Sequence, residues 1–207
     1  MGERPRQADA LDAGWNRLRS QDPKTLAEDA GAEWSPDRHA LRLQVVDREC
    51  IVELSTREIR WAGGVGADVA PHLRILILHY LAGAGNAQLA NQLATFREFA
   101  GGDLYYPAFQ SRAIDAVVRA FGTAPEVLRR TGERLGAEPV KTGSVGFKVH
   151  FFPKLPIVVV LWLGDEEVPT SANVLFDASA GEILPTEDLS VAAEVLVHRL
   201  TELSETP

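Results

Sequence analysis

Cysteine is almost absent from this chain: Cys50 is the one thiol in 207 residues. No internal disulfide can form, and a Cys-based zinc or iron–sulfur site cannot be built from this chain alone. A reducing compartment, and hence a cytoplasmic location, is the expectation. Positive charge is also short, with 21 Lys and Arg against 29 Asp and Glu and a formal net charge of −8. That balance argues against general nucleic-acid binding, which needs a basic face to release counterions. Long hydrophobic runs are missing too. The longest, Leu155–Leu163, is interrupted by Pro156 and falls far short of the roughly 20 residues of a membrane-spanning helix. No apolar stretch follows Met1-Gly2-Glu3-Arg4-Pro5-Arg6, so neither a secretory signal nor a membrane anchor is expected there.

What is present is an ordinary balance, 45% apolar and 24% charged, in a chain long enough to bury a substantial core as one domain over 1–207. Leu11, Trp15 and Leu18 recur at helical spacing, and Asp22-Pro23 supplies an N-cap and a first-turn proline for a second helix ending at Gly31. Residues 1–35 thus read as a helical arm. Over 36–62 the period becomes two: Leu41, Leu43 and Val45, then Cys50, Val52 and Leu54, alternate with their neighbours and predict a hairpin turning near Asp47-Arg48. Gly63-Gly64-Val65-Gly66 is punctuation, after which Asp68 is placed to cap an apolar helix running to Ala82. Further helices are expected over 87–99, 109–121 and 125–135, completing a helical segment over 68–136. From 144 to 203 the pattern is β-rich, with strands over 147–152, 157–163 and 172–176 and a last helix capped by Thr186. The second strand is apolar on both faces and should be central. Strands in adjacent groups with helices between them predict an α+β fold, an antiparallel or mixed sheet with a central helical segment and a C-terminal helix packed on it.

Short chemical motifs are incomplete. Gly64 and Gly66 are followed by Val69, and Gly83 and Gly85 by Gln88, where a dinucleotide fingerprint has its third glycine. Val140 stands where a phosphate loop has glycine before Lys141-Thr142. Ser144 matches only half of a nucleophile elbow, with His150 as its nearest candidate base. His72 and His79, seven residues apart on one helix, are separated by about 10 Å along its axis and cannot share one metal. His79, followed by Tyr80, is the candidate axial ligand should a tetrapyrrole bind.

Two segments carry more chemistry. In the first, Arg97 can fork onto a carboxylate or phosphate while Gly101 and Gly102 let backbone N–H groups approach an anion, with Glu98 and Tyr106 alongside. The same residues also fit an intramolecular Arg–Glu pair at a helix end. In the second, Asp165, Glu166 and Glu167 leave the buried strand together. Were Asp177 to converge on them, the oxygens would suit magnesium or calcium, or carboxylates with separated pKa values. A solvated rim is the plainer reading.

These segments together resemble an uncharacterised prokaryotic domain-of-unknown-function family, from about Asp9 to Leu203. The resemblance rests on Leu78-His79-Tyr80-Leu81, on Phe96-Arg97-Glu98 with Gly101-Gly102 and Tyr106, and on Phe151-Phe152-Pro153 through Pro156. Its most specific part is Trp162-Leu163-Gly164-Asp165-Glu166-Glu167-Val168-Pro169-Thr170-Ser171, with Leu175-Phe176-Asp177 and Leu184-Pro185-Thr186-Glu187-Asp188. Some members of that family carry an iron–sulfur module or stand near corrinoid proteins, which implies an accessory role around a redox cofactor. The family brings no established catalytic residues.

Three functional expectations follow, without a named cofactor or partner. The first is a non-catalytic module binding a small anion or a tetrapyrrole or corrinoid-like cofactor through Arg97, Glu98, Gly101, Gly102, Tyr106 and His79. The second is a metal-assisted hydrolase or transferase using Asp165, Glu166, Glu167 and Asp177. The third is a structural subunit, which predicts an exposed apolar patch.

Overall fold

A computed structural model describes residues 3–64, 68–85 and 87–206, without the side chains of 3–6. It contains α+β structure in two antiparallel sheets, of four and five strands. Its contacts group into two compact units: 1–88 with 152–154 and 182–184, and the remainder.

The first unit opens with α1 (Glu3–Arg19), which buries Trp15 and Leu18. Helix α2 (Pro23–Ala30) begins as its sequence dictates: the Asp22 carboxylate accepts from Thr25 N–H at 2.9 Å, and Gly31 closes the helix in the left-handed region at φ 64°. The expected hairpin is part of a larger meander of β1 (Glu33–Ser35), β2 (Ala40–Val45), β3 (Arg48–Glu53) and β4 (Glu58–Trp61), paired in that order. Leu41, Leu43, Val45, Cys50 and Val52 are buried. Helix α3 (Pro71–Gly83) packs against α1 and α2 and buries Leu73, Leu76, Ile77, Leu78, Tyr80 and Leu81. Asp68 does not cap it. Ala70 holds the cap position, where Pro71 needs no donor partner, and Asp68 is solvent-exposed, 3.9 Å from Arg74. The glycine-rich stretch is described only at Gly63 and Gly64; Val65 and Gly66 lie outside the described residues.

In the second unit the helix expected over 87–99 is absent. That segment is extended, forms β5 (Leu93–Thr95) against β9, and ends in a 3-10 turn at Phe96–Glu98. Helix α4 (Gly102–Phe109) starts seven residues before the expected Phe109, passes through a π-turn at Gln110–Ile114 and continues as α5 (Asp115–Phe121). Helix α6 (Pro125–Arg134) follows. The sheet adds β6 (Glu138–Pro139), β7 (Val145–Phe152), β8 (Leu155–Trp162) and β9 (Ser171–Asp177), in the order β5-β9-β8-β7-β6. Every residue of β8 before Trp162 is buried, as a strand covered on both faces requires. After the short α7 (Ala180–Ile183), α8 (Thr186–Glu205) buries Leu189, Ala192, Leu196 and Leu200. Thr186 is not its cap. Pro185 is, and the Thr186 hydroxyl donates to Ala100 O at 2.7 Å.

Among the described residues, no helix is long and apolar enough to cross a membrane.

Candidate functional site

The acidic residues are pinned by sheet register. Strands β8 and β9 pair antiparallel, with Trp162 opposite Ser171 and Ile157 opposite Phe176. Asp165–Glu167 occupy the connection at one end of the pair, and Asp177 ends β9 at the other. Six residues at about 3.3 Å each separate the two ends by roughly 20 Å. The four carboxylates therefore do not converge, and among the described residues no three His, Cys, Asp or Glu side chains are grouped to hold a metal ion.

Each acidic end has its own local role. Asp165 Oδ1 accepts from Glu167 N–H and Val168 N–H, both at 2.9 Å, and Asp165 N–H donates to Val168 O at 2.9 Å. Those backbone donors hold its pKa below the ordinary value. Gly164 is required in the same turn, since a Cβ there would overlap the backbone at Val168 and Thr170. Ser144, the half-matched elbow serine, anchors this connection: its Oγ accepts from Leu163 N–H at 3.0 Å. His150 lies six residues along β7, about 20 Å away by strand rise, so the two form no nucleophile–base pair. Asp177 is buried at 5% exposure. It accepts from Ala90 N–H and Asn91 N–H at 2.8 Å and from Ser179 N–H and Oγ at 3.0 and 2.6 Å. Burial raises its pKa, but the bonds from Ser179, Ala90 and Asn91 outweigh it and leave the net shift downward.

The Arg97 segment is similarly committed to its own fold. Glu98 Oε2 accepts from Thr95 N–H at 2.6 Å and Thr95 Oγ1 at 2.7 Å, a capping box that lowers its pKa. Arg97 does not form the Arg–Glu pair that is one of its two readings: its Nε lies 3.2 Å from Asp103 Oδ1, and its guanidinium carbon 4.0 Å from the Tyr106 ring centroid. Gly101, at φ 75°, turns the chain into α4, and Gly102 packs where a Cβ would overlap Phe96 O. His79 is half-buried on α3 in the first unit. Cys50 is fully buried with its thiol pushed up to about 12 by burial, so it offers no thiolate at neutral pH.

One residue of the Arg97 segment does reach a cavity. Tyr106, Gln110, Ile114, Asp115, Val118 and Arg119 form one wall of a cleft of about 610 Å³, and Thr170–Asn173 form the other. Tyr106 thereby joins the Arg97 stack to the residues through which the acidic connection enters β9. The helical wall is the one containing the π-turn, a geometry frequent at functional sites. Sequence reasoning missed Gln110, Asp115 and Arg119 because it treated 109–121 as a regular helix, and Asn173 because strand alternation alone does not show which helix faces β9. The available signal was Pro107, which removes a donor inside α4.

The second unit thus has the character of a small α+β scaffold carrying a polar surface cleft. A family model for a domain of unknown function, DUF3786, matches residues 22–199, and the chain belongs to that family. No curated protein and no solved structure matches it.

Proposed function

We propose that this chain is a non-catalytic binding module whose second unit takes a small polar molecule in the cleft between the π-turn helix and β9. The observation that carries this reading is the π-turn at Gln110–Ile114 in the wall of that cleft. A volume of about 610 Å³ falls within the roughly 300–1,000 Å³ of small-molecule sites. Gln110, Thr170, Ser171 and Asn173 offer hydrogen-bond donors and acceptors, while Arg119 and Asp115 bring opposite charges. Arg119 also donates to Ser111 O at 3.2 Å, which orients its fork. A ligand with an anionic group beside a hydrogen-bond donor matches that set better than a tetrapyrrole, whose ring needs a broad apolar slot. Binding is favoured over hydrolysis because Ser144, Asp165 and Asp177 are engaged in turns.

Thermal-shift screening of the whole chain with small carboxylates, phosphorylated metabolites, haem and a corrinoid tests the reading, since a ligand of the native state raises the midpoint by mass action. The expected result is stabilisation by a polar ligand that Arg119→Ala abolishes. Stabilisation by haem or a corrinoid that His79→Ala removes would replace it with the tetrapyrrole reading.

A second reading, docking of a basic protein partner, is favoured by one observation. Trp162, Leu163 and Val168 are 37%, 46% and 60% exposed, and they flank the acidic turn. Exposed apolar groups within a charged rim are a common form of docking surface.

A further inference from the structure

We infer that the first unit carries a separate anion site, between the end of α1 and the β3–β4 turn, that takes the phosphate group of a small phosphorylated molecule. A depression of about 640 Å³ lies there, floored by the buried Trp15 and Leu18. Its lining includes Arg19, His39 and Arg57, with Ser55, Thr56 and Gln21, and no carboxylate. In a chain of net charge −8, a depression whose polar lining is cationic or neutral runs against the average composition, although the carboxylates of Asp12 and Glu53 hold two of those residues, Arg57 and Thr56. Two arginines suit a phosphate dianion, Ser55 adds a hydroxyl donor while that of Thr56 is given to Glu53 Oε2 at 3.2 Å, and a histidine offers an N–H in either protonation state.

Backbone geometry supports the assignment independently. His39 and Arg57 adopt positive φ, 50° and 59°, a region that costs an L-residue steric strain and that glycine enters freely. Leu54 N–H donates to His39 O at 3.1 Å, which holds the two strained loops side by side. His39 closes the 3-10 turn Pro36–Arg38 and Arg57 closes the β3–β4 turn, and strain kept at a histidine and an arginine that line one depression is what a binding role predicts. Arg57 is presented across the gap by Asn16 Oδ1 at 3.2 Å and Asp12 Oδ1 at 3.4 Å. Asp12 is 71% exposed, so water screens that pair and an incoming dianion can compete with it. The volume exceeds that of a bare phosphate, which leaves room for the rest of a small molecule above Trp15.

The test is an NMR titration of the whole chain with inorganic phosphate and with pyrophosphate at fixed ionic strength, following backbone amides and the Trp15 indole. Saturable shifts confined to residues 15–23, 39 and 54–57 are expected. Arg57→Gly should weaken pyrophosphate binding by about tenfold or more, as loss of a charge-assisted fork implies, while raising the thermal midpoint because the strained turn relaxes. Arg19→Gln should weaken binding with the midpoint unchanged. Non-saturating shifts, shifts confined to the Tyr106–Arg119 cleft, or binding indifferent to both substitutions would overturn the inference.

Discussion

Asp177 Oδ2 accepts from Asn91 N–H at 2.8 Å, joining the end of β9 to a segment 86 positions earlier in the chain. The other oxygen takes Ala90 N–H and both donors of Ser179. A buried carboxylate with four donors is a folding element, and its lowered pKa fixes the sign of its pH dependence. Its contribution is fully present above the ordinary aspartate pKa of about 3.9 and is lost as pH falls through the lower folded value. Asp177→Asn should cost roughly 1–3 kcal/mol at neutral pH, because an amide cannot accept at both ends. Denaturant unfolding at neutral and strongly acid pH checks this. The gap between wild type and variant should narrow in acid; a gap that stays constant would remove the carboxylate's charge from the account.

Tyr80 plays the corresponding part in the first unit. Its ring stacks on Phe152 with centroids 4.1 Å apart; its hydroxyl donates to Ala30 O at 2.8 Å and accepts from Lys154 N–H at 3.0 Å. Burial pushes its phenol well above the usual tyrosine range, so it stays protonated and able to donate. Tyr80→Phe keeps the stack but strands two backbone groups, and should cost about 1–3 kcal/mol. A lowered urea midpoint with an unchanged slope is the expected reading; a change under about 0.5 kcal/mol would mean that water or a shifted backbone satisfies both groups.

Tyr80 and Asp177 also mark where sequence stops being readable. Local signals were legible: Asp22-Pro23 starts α2, the alternation at Leu41–Val45 gives β2, and the unbroken apolar run of β8 places it between covered faces. Residues 87–99 were not, because Ala, Gln and Leu favour helix locally while Asp177 and β9 claim the backbone of Ala90–Thr95. The π-turn was hidden because the buried Phe109, Ala113, Val117 and Phe121 recur every four residues, close enough to 3.6 to read as one regular helix. Part of the acidic cluster's failure was readable in advance: a strand of seven residues between Asp165–Glu167 and Asp177 keeps them apart. The pairing of Arg97 with Asp103 instead of Glu98 was not, because it depends on which carboxylate first closes its own capping box.

Within six residues the acidic connection holds both residues that shape the loop and side chains that are exposed. Asp165 and Gly164 shape it, whereas Glu166, Glu167 and Val168 face solvent. A loop already held in one conformation loses little entropy on binding, which suits it to present Leu163 and Val168 to a partner. Glu166→Gln with Glu167→Gln should leave the thermal midpoint unchanged, while Asp165→Ala should speed amide exchange at Glu167 and Val168. If the loop docks a basic partner, a labelled amphipathic peptide rich in arginine should bind it, and binding should weaken as salt rises. Val168→Ser, at a site 60% exposed, should weaken that binding through the lost apolar contact without unfolding the chain. The double Glu→Gln variant should weaken it, and equal affinity in all three proteins would leave the exposed Trp162, Leu163 and Val168 as ordinary surface.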